Sequence, residues 1–389
     1  MWARTIEKEL RTAASEYPVV TIIGPRQSGK TTVVKKVFPK KAYANLEAMD
    51  IRAFAETDPR GFLQQYPKGA VLDEIQRVPQ LLSYIQVDVD AKKQRGRFIL
   101  TGSHQLSLHE KISQSLAGRT AILSLLPLSI SELSAAGFDL SLNDYLLNGF
   151  MPRVYADQLN PTKAYRNYVQ TYIERDVRQM QQIKDLKVFQ NFLKLCAGRI
   201  GSVLNRESLG NDTGISGNTV NQWLSVLEAS FILFQLPPYF ENFGKRVIKA
   251  PKLYFTDVGL ATYLLGIESL EQLARDPLRG FLVENLVILE LIKARLNRGL
   301  EPNLYYYRDN HKNEVDVVFK QSHNLIPIEI KAAQTFMPEQ LKGLLFYLQL
   351  AQKRAARGYL IYTGEHQQDV GKVTIMNYKH SAEIVLQKI

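Results

Sequence analysis

The stretch GPRQSGKT at residues 24–31 lies where the apolar strand pattern Val19–Gly24 meets the helical pattern Lys30–Val37. It matches G-x-x-x-x-G-K-[ST] in full, and its glycines allow backbone N–H groups to turn toward the β- and γ-phosphate oxygens of a nucleotide. The first turn of the following helix adds a favourable field for the anion. Lys30 is expected to neutralise the phosphate oxygens, and the Thr31 hydroxyl to ligate Mg²⁺. The predicted phosphate-binding residues are Gly24, Pro25, Arg26, Gln27, Ser28, Gly29, Lys30, Thr31 and Thr32.

Strand and helix patterns alternate on both sides of this loop. Residues 1–15 form an amphipathic helical pattern, and further helical patterns lie near 50–65, 79–92 and 104–116. The later predicted strands are Lys41–Leu46, Ala70–Ile75, Phe98–Gly102 and Ala121–Leu126. This alternation predicts an α/β fold with a parallel sheet covered by helices. It also argues against a chance glycine turn at residues 24–31.

Polar residues follow two of the later strands. The run AVLDE at residues 70–74 ends in adjacent carboxylates. Asp73 is expected in the water shell of the metal and Glu74 beside the attacking water, a pair that favours hydrolysis; two solvated acids are the alternative. After the next strand, Ser103 is the first choice for a sensor of the γ-phosphate and Thr101 the second, and helix capping by Ser103 is the alternative.

The composition of the chain indicates which partners and which kinds of site to expect. The chain has 389 residues, a formal net charge of +11, a pI near 9.4 and a single cysteine, Cys196. The basic balance favours polyanionic partners, with nucleic acid first and an anionic membrane surface second. One cysteine excludes a disulfide framework and a cysteine-rich zinc site. Signal-like and membrane-length apolar runs are absent from the sequence, so a cytoplasmic protein without a membrane partner is expected.

A helix-rich region follows the predicted sheet. Residues 140–185 carry helical patterns, and the helices Asn205–Asn211 and Ser216–Ala229 flank a short turn. The strands Phe231–Leu236 and Lys252–Phe255 complete a winged-helix pattern, whose second helix would enter the major groove of DNA. The predicted DNA contacts are Ser216, Asn218, Thr219, Asn221, Gln222, Lys245 and Arg246. The alternative is a winged helix used only for packing or oligomerisation.

Three acidic residues and a lysine lie in predicted helices and strands near the end of the chain. Residues two apart on a strand share a face, so Glu329 and Lys331 are expected together, and an antiparallel neighbour can bring Asp316 beside them. With Glu284 from a helix, the three carboxylates make a site for Mg²⁺ or Mn²⁺, in which Lys331 orients water or stabilises charge. A solvated edge strand is the alternative. The predicted elements are helix Gly280–Arg295, strands Asn303–Arg308, Glu314–Lys320 and Leu325–Lys331, helix Pro338–Arg354 and strand Gly358–Thr363.

Five segments, GPRQSGKTT, VLDEIQR, ILTGSHQL, LAGRTAILSLLPLS and GFMPRVY, resemble the AAA-type ATPases that carry a C-terminal domain of uncharacterised function, the DUF4143 type. The resemblance covers nearly the whole chain and implies an AAA-like strand order, a helical lid, ATP with Mg²⁺ as ligands, and relatedness to STAND and archaeal ATPases. It implies that Pro152 lies near the adenine and that Arg119 reaches the γ-phosphate of a neighbouring subunit. The chain would then form a homo-oligomer, with a hexamer as one option. A plain surface charge is the alternative for Arg119.

The order Glu284, Asp316, Glu329-Ile330-Lys331 resembles the PD-(D/E)xK nuclease fold of restriction enzymes and archaeal-type Holliday-junction resolvases. Val315 departs from that pattern by replacing the proline before the aspartate. The resemblance implies a restriction-endonuclease-like α/β domain that either cuts DNA or only binds it. The predicted domains are an ATPase core at 1–135, a helical lid at 136–185, a winged-helix-like domain at 186–268 and a nuclease-like domain at 269–389.

Two functions are compatible with these patterns. One is an ATP-hydrolysing DNA-processing protein, an oligomeric motor or remodeller coupled to the nuclease-like domain, with branched DNA such as a Holliday junction as the first substrate to test. The other is a STAND-like, ATP-driven switch that binds a protein partner and carries a catalytically silent nuclease-like domain. The lack of an N-K-x-D segment argues against GTP. A P-loop kinase is disfavoured because the adjacent Asp73 and Glu74 suit water activation better than phosphate acceptance.

Overall fold

The computed structural model describes residues 2–103, 115–173, 185–240 and 248–387. The chain divides into two compact units. The first unit holds residues 1–128 with the short segments 229–231 and 296–300, and the second holds the rest of the chain. Most of the predicted helix near 104–116, and the predicted DNA contacts Lys245 and Arg246, lie outside the described residues.

A parallel sheet forms the centre of the first unit, in the order β2-β3-β4-β1-β5. Its strands are β1 (Val19–Ile23), β2 (Ala42–Asn45), β3 (Ala70–Asp73), β4 (Phe98–Gly102) and β5 (Thr120–Ser124). Strands β1, β3 and β4 are buried along their whole lengths, as expected for parallel strands with both faces covered. The parallel α/β sheet predicted from the alternating patterns is therefore confirmed.

The helices of the first unit follow their apolar periodicity. The N-terminal helix buries Leu10 and Ala13, which pack with Ile6 against β1 and the helix after it. All five strands run parallel, so their carboxyl ends meet at one edge of the sheet. The helices are α1 (Glu7–Glu16), α2 (Lys30–Val37), α3 (Met49–Thr57), α4 (Pro59–Gln64) and α5 (Leu81–Lys92).

The second unit begins with short, capped helices. Ser129 and Ser141 each form a capping box with an acidic residue three positions later, which satisfies exposed N–H groups at the helix start. The described helices up to the middle of the unit are α6 (Ile130–Ala135), α7 (Leu142–Asn148), α8 (Pro152–Ala156), α9 (Pro161–Tyr168) with a π-turn at Val169–Ile173, α10 (Leu186–Ala197), α11 (Arg206–Thr213) and α12 (Gly217–Ala229). An antiparallel pair, β6 (Leu233–Leu236) and β7 (Lys252–Phe255), follows. The helices and strands of the winged-helix pattern are thus present, and the domain type stays a prediction.

A mixed sheet dominates the C-terminal part of the second unit, in the order β12-β13-β11-β10-β9-β8. Strands β8, β9 and β10 are antiparallel neighbours, whereas β10, β11 and β13 run parallel. The strands are β8 (Leu304–Arg308), β9 (Glu314–Gln321), β10 (Asn324–Lys331), β11 (Gly358–Tyr362), β12 (Gln368–Val370) and β13 (Val373–Asn377). The described helices are α13 (Val258–Leu264), α14 (Leu270–Arg275), α15 (Arg279–Leu296), α16 (Lys342–Ala351) and α17 (Ser381–Ile384).

Two features of this sheet differ from the sequence-based expectation. The last pair of strands, β12 and β13, was not predicted, because β12 is short and fully exposed and so carries no alternation. The predicted helix Pro338–Arg354 is divided into a 3-10 turn, helix α16 and a second 3-10 turn, and Gln352 ends α16 with a positive φ of 49°. The other predicted elements of this region are confirmed within a few residues.

A membrane crossing needs a long, strongly apolar helix. Within the ranges that the structure describes, none of the helices meets that requirement.

Candidate functional site

The loop that follows β1 closes tightly around its two glycines. Gly24 has a φ of +157°, and a Cβ atom there would lie 2.1 Å from the carbonyl oxygen of Leu125. Gly29 has a φ of 93° and forms the N-cap of α2. A side chain at either position would strain the loop, because L-residues rarely adopt these conformations. The loop therefore carries backbone N–H groups to the start of α2, where an anion is stabilised.

Lys30 lies folded over this loop and is only 6% exposed. Its Nζ donates to the carbonyl oxygens of Gly24 at 2.9 Å and Pro25 at 2.8 Å. Burial lowers the pKa of Lys30 to about 8, although the nearby Glu74 and Asp73 favour its charged form. The ammonium group is thus held beside the predicted phosphate position by weak carbonyl partners that an anion can replace.

Asp73 is the centre of a hydroxyl network at the end of β3. Thr31 Oγ1 donates to Asp73 Oδ2 at 2.8 Å, Tyr43 Oη donates to the same oxygen at 2.5 Å, and the Thr101 hydroxyl donates to Asp73 Oδ1. Burial, reinforced by the hydrogen bond to Asp73, raises the pKa of Tyr43 above its usual range. Thr31 and Asp73, the two predicted magnesium partners, are in direct contact. Hydroxyl and carboxylate oxygens are the ligands that Mg²⁺ prefers, so these residues fit the ion.

Glu74 follows Asp73 in a left-handed conformation, with a φ of 59°. Its Oε2 accepts a hydrogen bond from Ser103 Oγ at 3.1 Å and another from the Gln76 amide. Its backbone N–H donates to Thr101 Oγ1 at 3.2 Å. A non-glycine residue in this conformation is strained, and such residues concentrate at functional sites. The strain turns Glu74 toward Ser103, the predicted sensor, at the carboxyl edge of the sheet.

The other predicted residues of the loop differ in their surroundings. Arg26 Nη1 lies 3.7 Å from Glu47 Oε1. Gln27 has a positive φ of 63°, Thr32 is exposed, and the buried Ser28 Oγ has no hydrogen-bond partner among the described residues. These positions shape the loop, and their predicted contacts with phosphate stay predictions.

Sequence reasoning missed Tyr43, Gln76 and Arg4. Arg4 is buried and donates to the carbonyl oxygens of Ser28 at 2.8 Å and Leu126 at 2.8 Å, so it ties the loop to the chain after β5. It stands ahead of the first helix without a recognisable motif. Gln76 lies two residues after Glu74, and that proximity was the one available signal.

Arg119 lies on the surface of the first unit, bonded to Asp90. Arg119 Nε is 2.6 Å from Asp90 Oδ1, and Arg119 Nη2 is 2.8 Å from Asp90 Oδ2. Both side chains are at least one-third exposed. A role at the γ-phosphate of a neighbouring subunit therefore requires exchange of this ion pair, and it stays a prediction.

The start of α12 presents polar side chains to solvent. Asn218, Asn221 and Gln222 are exposed. Ser216 caps the helix, since its Oγ accepts from the Thr219 N–H at 3.1 Å and lies 2.9 Å from the Thr219 hydroxyl. Ser216 and Thr219 thus form the helix cap. The side-chain amides of Asn218, Asn221 and Gln222 are the exposed groups that could hydrogen-bond to base edges.

The C-terminal acids and Lys331 come together as the sequence order predicted. Glu284, Asp316 and Glu329 are each more than nine-tenths buried. Antiparallel pairing of β9 with β10 brings Asp316 Oδ2 to the Ile330 N–H at 2.8 Å, and Lys331 Nζ lies 2.6 Å from Glu329 Oε1. Burial, reinforced by the neighbouring Asp316, raises the pKa of Glu284 to about 7 and that of Glu329 to about 8. We call these four residues, with Glu314, the carboxylate cluster.

Lys252 of β7 was not predicted in this cluster. It is 2% exposed, and its Nζ lies 2.6 Å from Glu314 Oε1, 3.1 Å from Glu284 Oε1 and 3.9 Å from Asp316 Oδ1. Across the ranges that the structure describes, no group of three or more His, Cys, Asp or Glu residues is arranged to hold a metal ion. The predicted metal set Glu284, Asp316 and Glu329 therefore stays a prediction. The acids assemble, and in this structure Glu284, Glu314 and Asp316 surround the Lys252 ammonium group, while Glu329 pairs with Lys331.

Three family models match the chain. Residues 16–134 match the AAA domain, residues 139–271 match a domain of unknown function (DUF8612), and residues 279–380 match a domain of unknown function (DUF4143). The resemblance to AAA-type ATPases with a DUF4143 domain is thereby confirmed. The nuclease resemblance stays a prediction.

The chain is 30% identical over 368 residues to the uncharacterized proteins Rv2008c of Mycobacterium tuberculosis and Mb2031c of Mycobacterium bovis, a match that covers 94% of this chain and 80% of each relative. Among solved structures, the Walker-type ATPase PABY2304 of Pyrococcus abyssi has a TM-score of 0.47 and 15% identity, covering 68% of this chain and 96% of that one. AMPPCP-bound DnaA from Aquifex aeolicus has a TM-score of 0.30 and 12% identity, covering 57% and 85%.

Proposed function

Because this chain belongs to the same family as the mycobacterial proteins Rv2008c and Mb2031c, and its residues 16–134 match the AAA domain, we propose that it hydrolyses Mg-ATP and couples hydrolysis to the processing of DNA. The observation that carries the ATPase part is the direct contact of Thr31 with Asp73, beside Glu74. That contact joins the phosphate loop to the carboxylates needed for hydrolysis.

Each residue of the site has a definite task in this mechanism. Thr31 and Asp73 would hold the Mg²⁺, which would supply neutralisation of charge on the phosphate oxygens. Lys30 leaves its two carbonyl partners and binds the phosphates. Glu74 orients the attacking water and accepts its proton, while Ser103 holds the Glu74 carboxylate in place. Arg119 of a neighbouring subunit would add charge stabilisation, which makes turnover depend on assembly.

The affinity for Mg-ATP is expected to fall as the pH rises through about 8, the pKa to which burial lowers Lys30. Lys30 is charged below that pH and neutral above it, so the free chain loses the cation that the phosphates require. Calorimetric titration with Mg-ATP between about pH 7 and 9.5 measures this fall in affinity. That pH range is chosen because it lies on both sides of the pKa of Lys30. The exposed Lys40→Ala variant is the control and keeps the wild-type profile. A pH-independent dissociation constant contradicts the prediction.

DNA is proposed as the partner because the chain is strongly basic and α12 exposes amides at its N-terminal end. Combined Asn218→Ala and Asn221→Ala substitutions are expected to weaken DNA binding about tenfold or more, since each lost base contact costs about 1–3 kcal/mol. Fluorescence anisotropy at low salt with junction, forked and duplex DNA measures the effect. The exposed Asn167→Ala variant on α9 is the matched control. Failure of the wild-type chain to bind all three DNAs ends the DNA proposal and leaves the ATPase proposal standing.

A regulatory switch with a silent nuclease-like domain is the second candidate function. One observation favours it, namely that Lys252 already engages acids that cleavage would need. Labelled junction and linear DNA, incubated with Mn²⁺ and with or without ATP, separate the two candidates. Cleavage that Lys331→Ala abolishes, while ATP turnover persists, supports the DNA-processing nuclease. If DNA does not change the ATPase rate and is not cleaved, the result supports the regulatory switch.

A further inference from the structure

A buried lysine reaches the carboxylate cluster from a different part of the second unit. Lys252 lies on β7, opposite Leu236 of β6, and forms a bridge with Val203. Its side chain leaves that hairpin and ends among acids from α15 and β9. The backbone of the hairpin therefore sets where the ammonium group lies relative to the acids of α15 and β9.

The Lys252 ammonium group is surrounded by carboxylate oxygens. Its Nζ lies 2.6 Å from Glu314 Oε1 and 3.1 Å from Glu284 Oε1, with Asp316 Oδ1 at 3.9 Å. The Tyr254 hydroxyl, two residues along β7, donates to the same Glu284 oxygen and orients it. A buried ammonium group is tolerated only when it is paired in this way. The acids thus form a cage around a charge that the chain itself supplies.

An independent feature shows that the cluster has unused capacity to bind a cation. Glu329 is more than nine-tenths buried, and its Oε2 has no hydrogen-bond partner among the described residues, while its Oε1 is paired with Lys331. Buried carboxylate oxygens are ordinarily satisfied. Four acids here face Lys252, Lys331 and Arg308, so negative charge exceeds positive charge when all are ionised. Removal of one lysine would leave a set of oxygen ligands of the kind that Mg²⁺ and Mn²⁺ prefer.

We propose that Lys252 is the resident cation of the carboxylate cluster and excludes divalent metal ions from it, so that a metal site appears only when Lys252 is withdrawn or replaced. The ammonium group and a divalent ion compete for the same oxygens of Glu284, Glu314 and Asp316. This competition explains why acids in a nuclease-like order are found around an ammonium group among the described residues. The inference is independent of ATP hydrolysis, because Lys252 lies outside the nucleotide site.

The test is Mn²⁺ binding to the nucleotide-free full-length chain, measured by electron paramagnetic resonance and by the shift in melting temperature on adding the ion. Lys252→Met, which removes the charge and keeps the side-chain length, is expected to bind one more Mn²⁺ per chain than the wild type. Its melting temperature should rise with Mn²⁺, because the ion binds only the folded state. The added site should vanish in Lys252→Met/Asp316→Asn. Lys252→Arg, which keeps a cation, should behave as the wild type does.

Two results would overturn the proposal. The first is a folded Lys252→Met chain with no added Mn²⁺ site. The second is a wild-type chain that already loses a bound Mn²⁺ on Asp316→Asn substitution, and this comparison decides the matter even if Lys252→Met does not fold. Equal Mn²⁺ stoichiometry in the wild type and Asp316→Asn supports exclusion by Lys252. ATP turnover, measured in parallel, should be unchanged in every folded variant, so failure here is distinct from failure of the ATPase proposal.

Discussion

Glu74→Gln is expected to lower kcat for ATP hydrolysis by about 10²- to 10⁴-fold, the usual loss when a general base is removed. Glutamine keeps the size of the side chain and can still bond to Ser103, but it cannot accept a proton from water. The affinity for Mg-ATP should change little, because Lys30 and Thr31 remain in place. The variant should therefore bind ATP and hold it unhydrolysed.

Two matched variants make this measurement decisive. Glu56→Gln changes an exposed glutamate on α3 in the same unit and should keep the wild-type rate. Lys30→Ala should lose both turnover and the calorimetric heat of Mg-ATP binding, because the phosphates lose their cation. Phosphate release measured at saturating ATP gives kcat for each. Turnover by Glu74→Gln within about twofold of the wild type, below the range for any general base, excludes Glu74 from that role.

Asp257→Ala is expected to destabilise the second unit by about 3–5 kcal/mol, since several buried donors lose their acceptor and a helix loses its cap. Asp257 is 1% exposed and precedes α13. It accepts from the Phe150 N–H at 2.8 Å, the Tyr165 hydroxyl at 2.6 Å, the Gly259 N–H at 2.9 Å and the Leu260 N–H at 3.2 Å. The Tyr165 hydroxyl also lies 3.0 Å from the Asn148 carbonyl oxygen, so the alanine variant mainly leaves the three backbone N–H groups without their acceptor.

Urea unfolding followed by tryptophan fluorescence measures this effect in the second unit. Trp223 packs against Phe189 and Phe192 in that unit, and a Trp2→Phe background removes the other tryptophan of the chain. Asp139→Ala, at an exposed position of the same unit, is the control and should unfold at the wild-type midpoint. Asp257→Asn keeps one acceptor oxygen and should lie between. An unchanged midpoint for Asp257→Ala would show that other groups replace the carboxylate.

The sequence alone predicted the phosphate loop, the parallel sheet and the acids at strand ends. Each of these features depends on residues that are close together along the chain. A glycine-lysine-threonine run determines its own turn, and an apolar run followed by Asp73 and Glu74 places both acids at the end of a strand. Two-residue spacing put Glu329 and Lys331 on one face of β10, where they form an ion pair. The amides at the start of α12, predicted as DNA contacts, are exposed in the structure.

Only the tertiary structure decided which charges share a site. Lys252 precedes Asp316 by many residues, and the register of the β6–β7 hairpin, not any motif, carries its ammonium group to the acids. Arg4 and Tyr43 likewise reach the nucleotide site through packing. Charge pairing acts over a few ångströms in space, whereas sequence patterns report neighbours along the chain. The sequence alone therefore predicted the order of the acids along the chain. Which cation pairs with them was decided by the folding together of segments that are distant in the sequence.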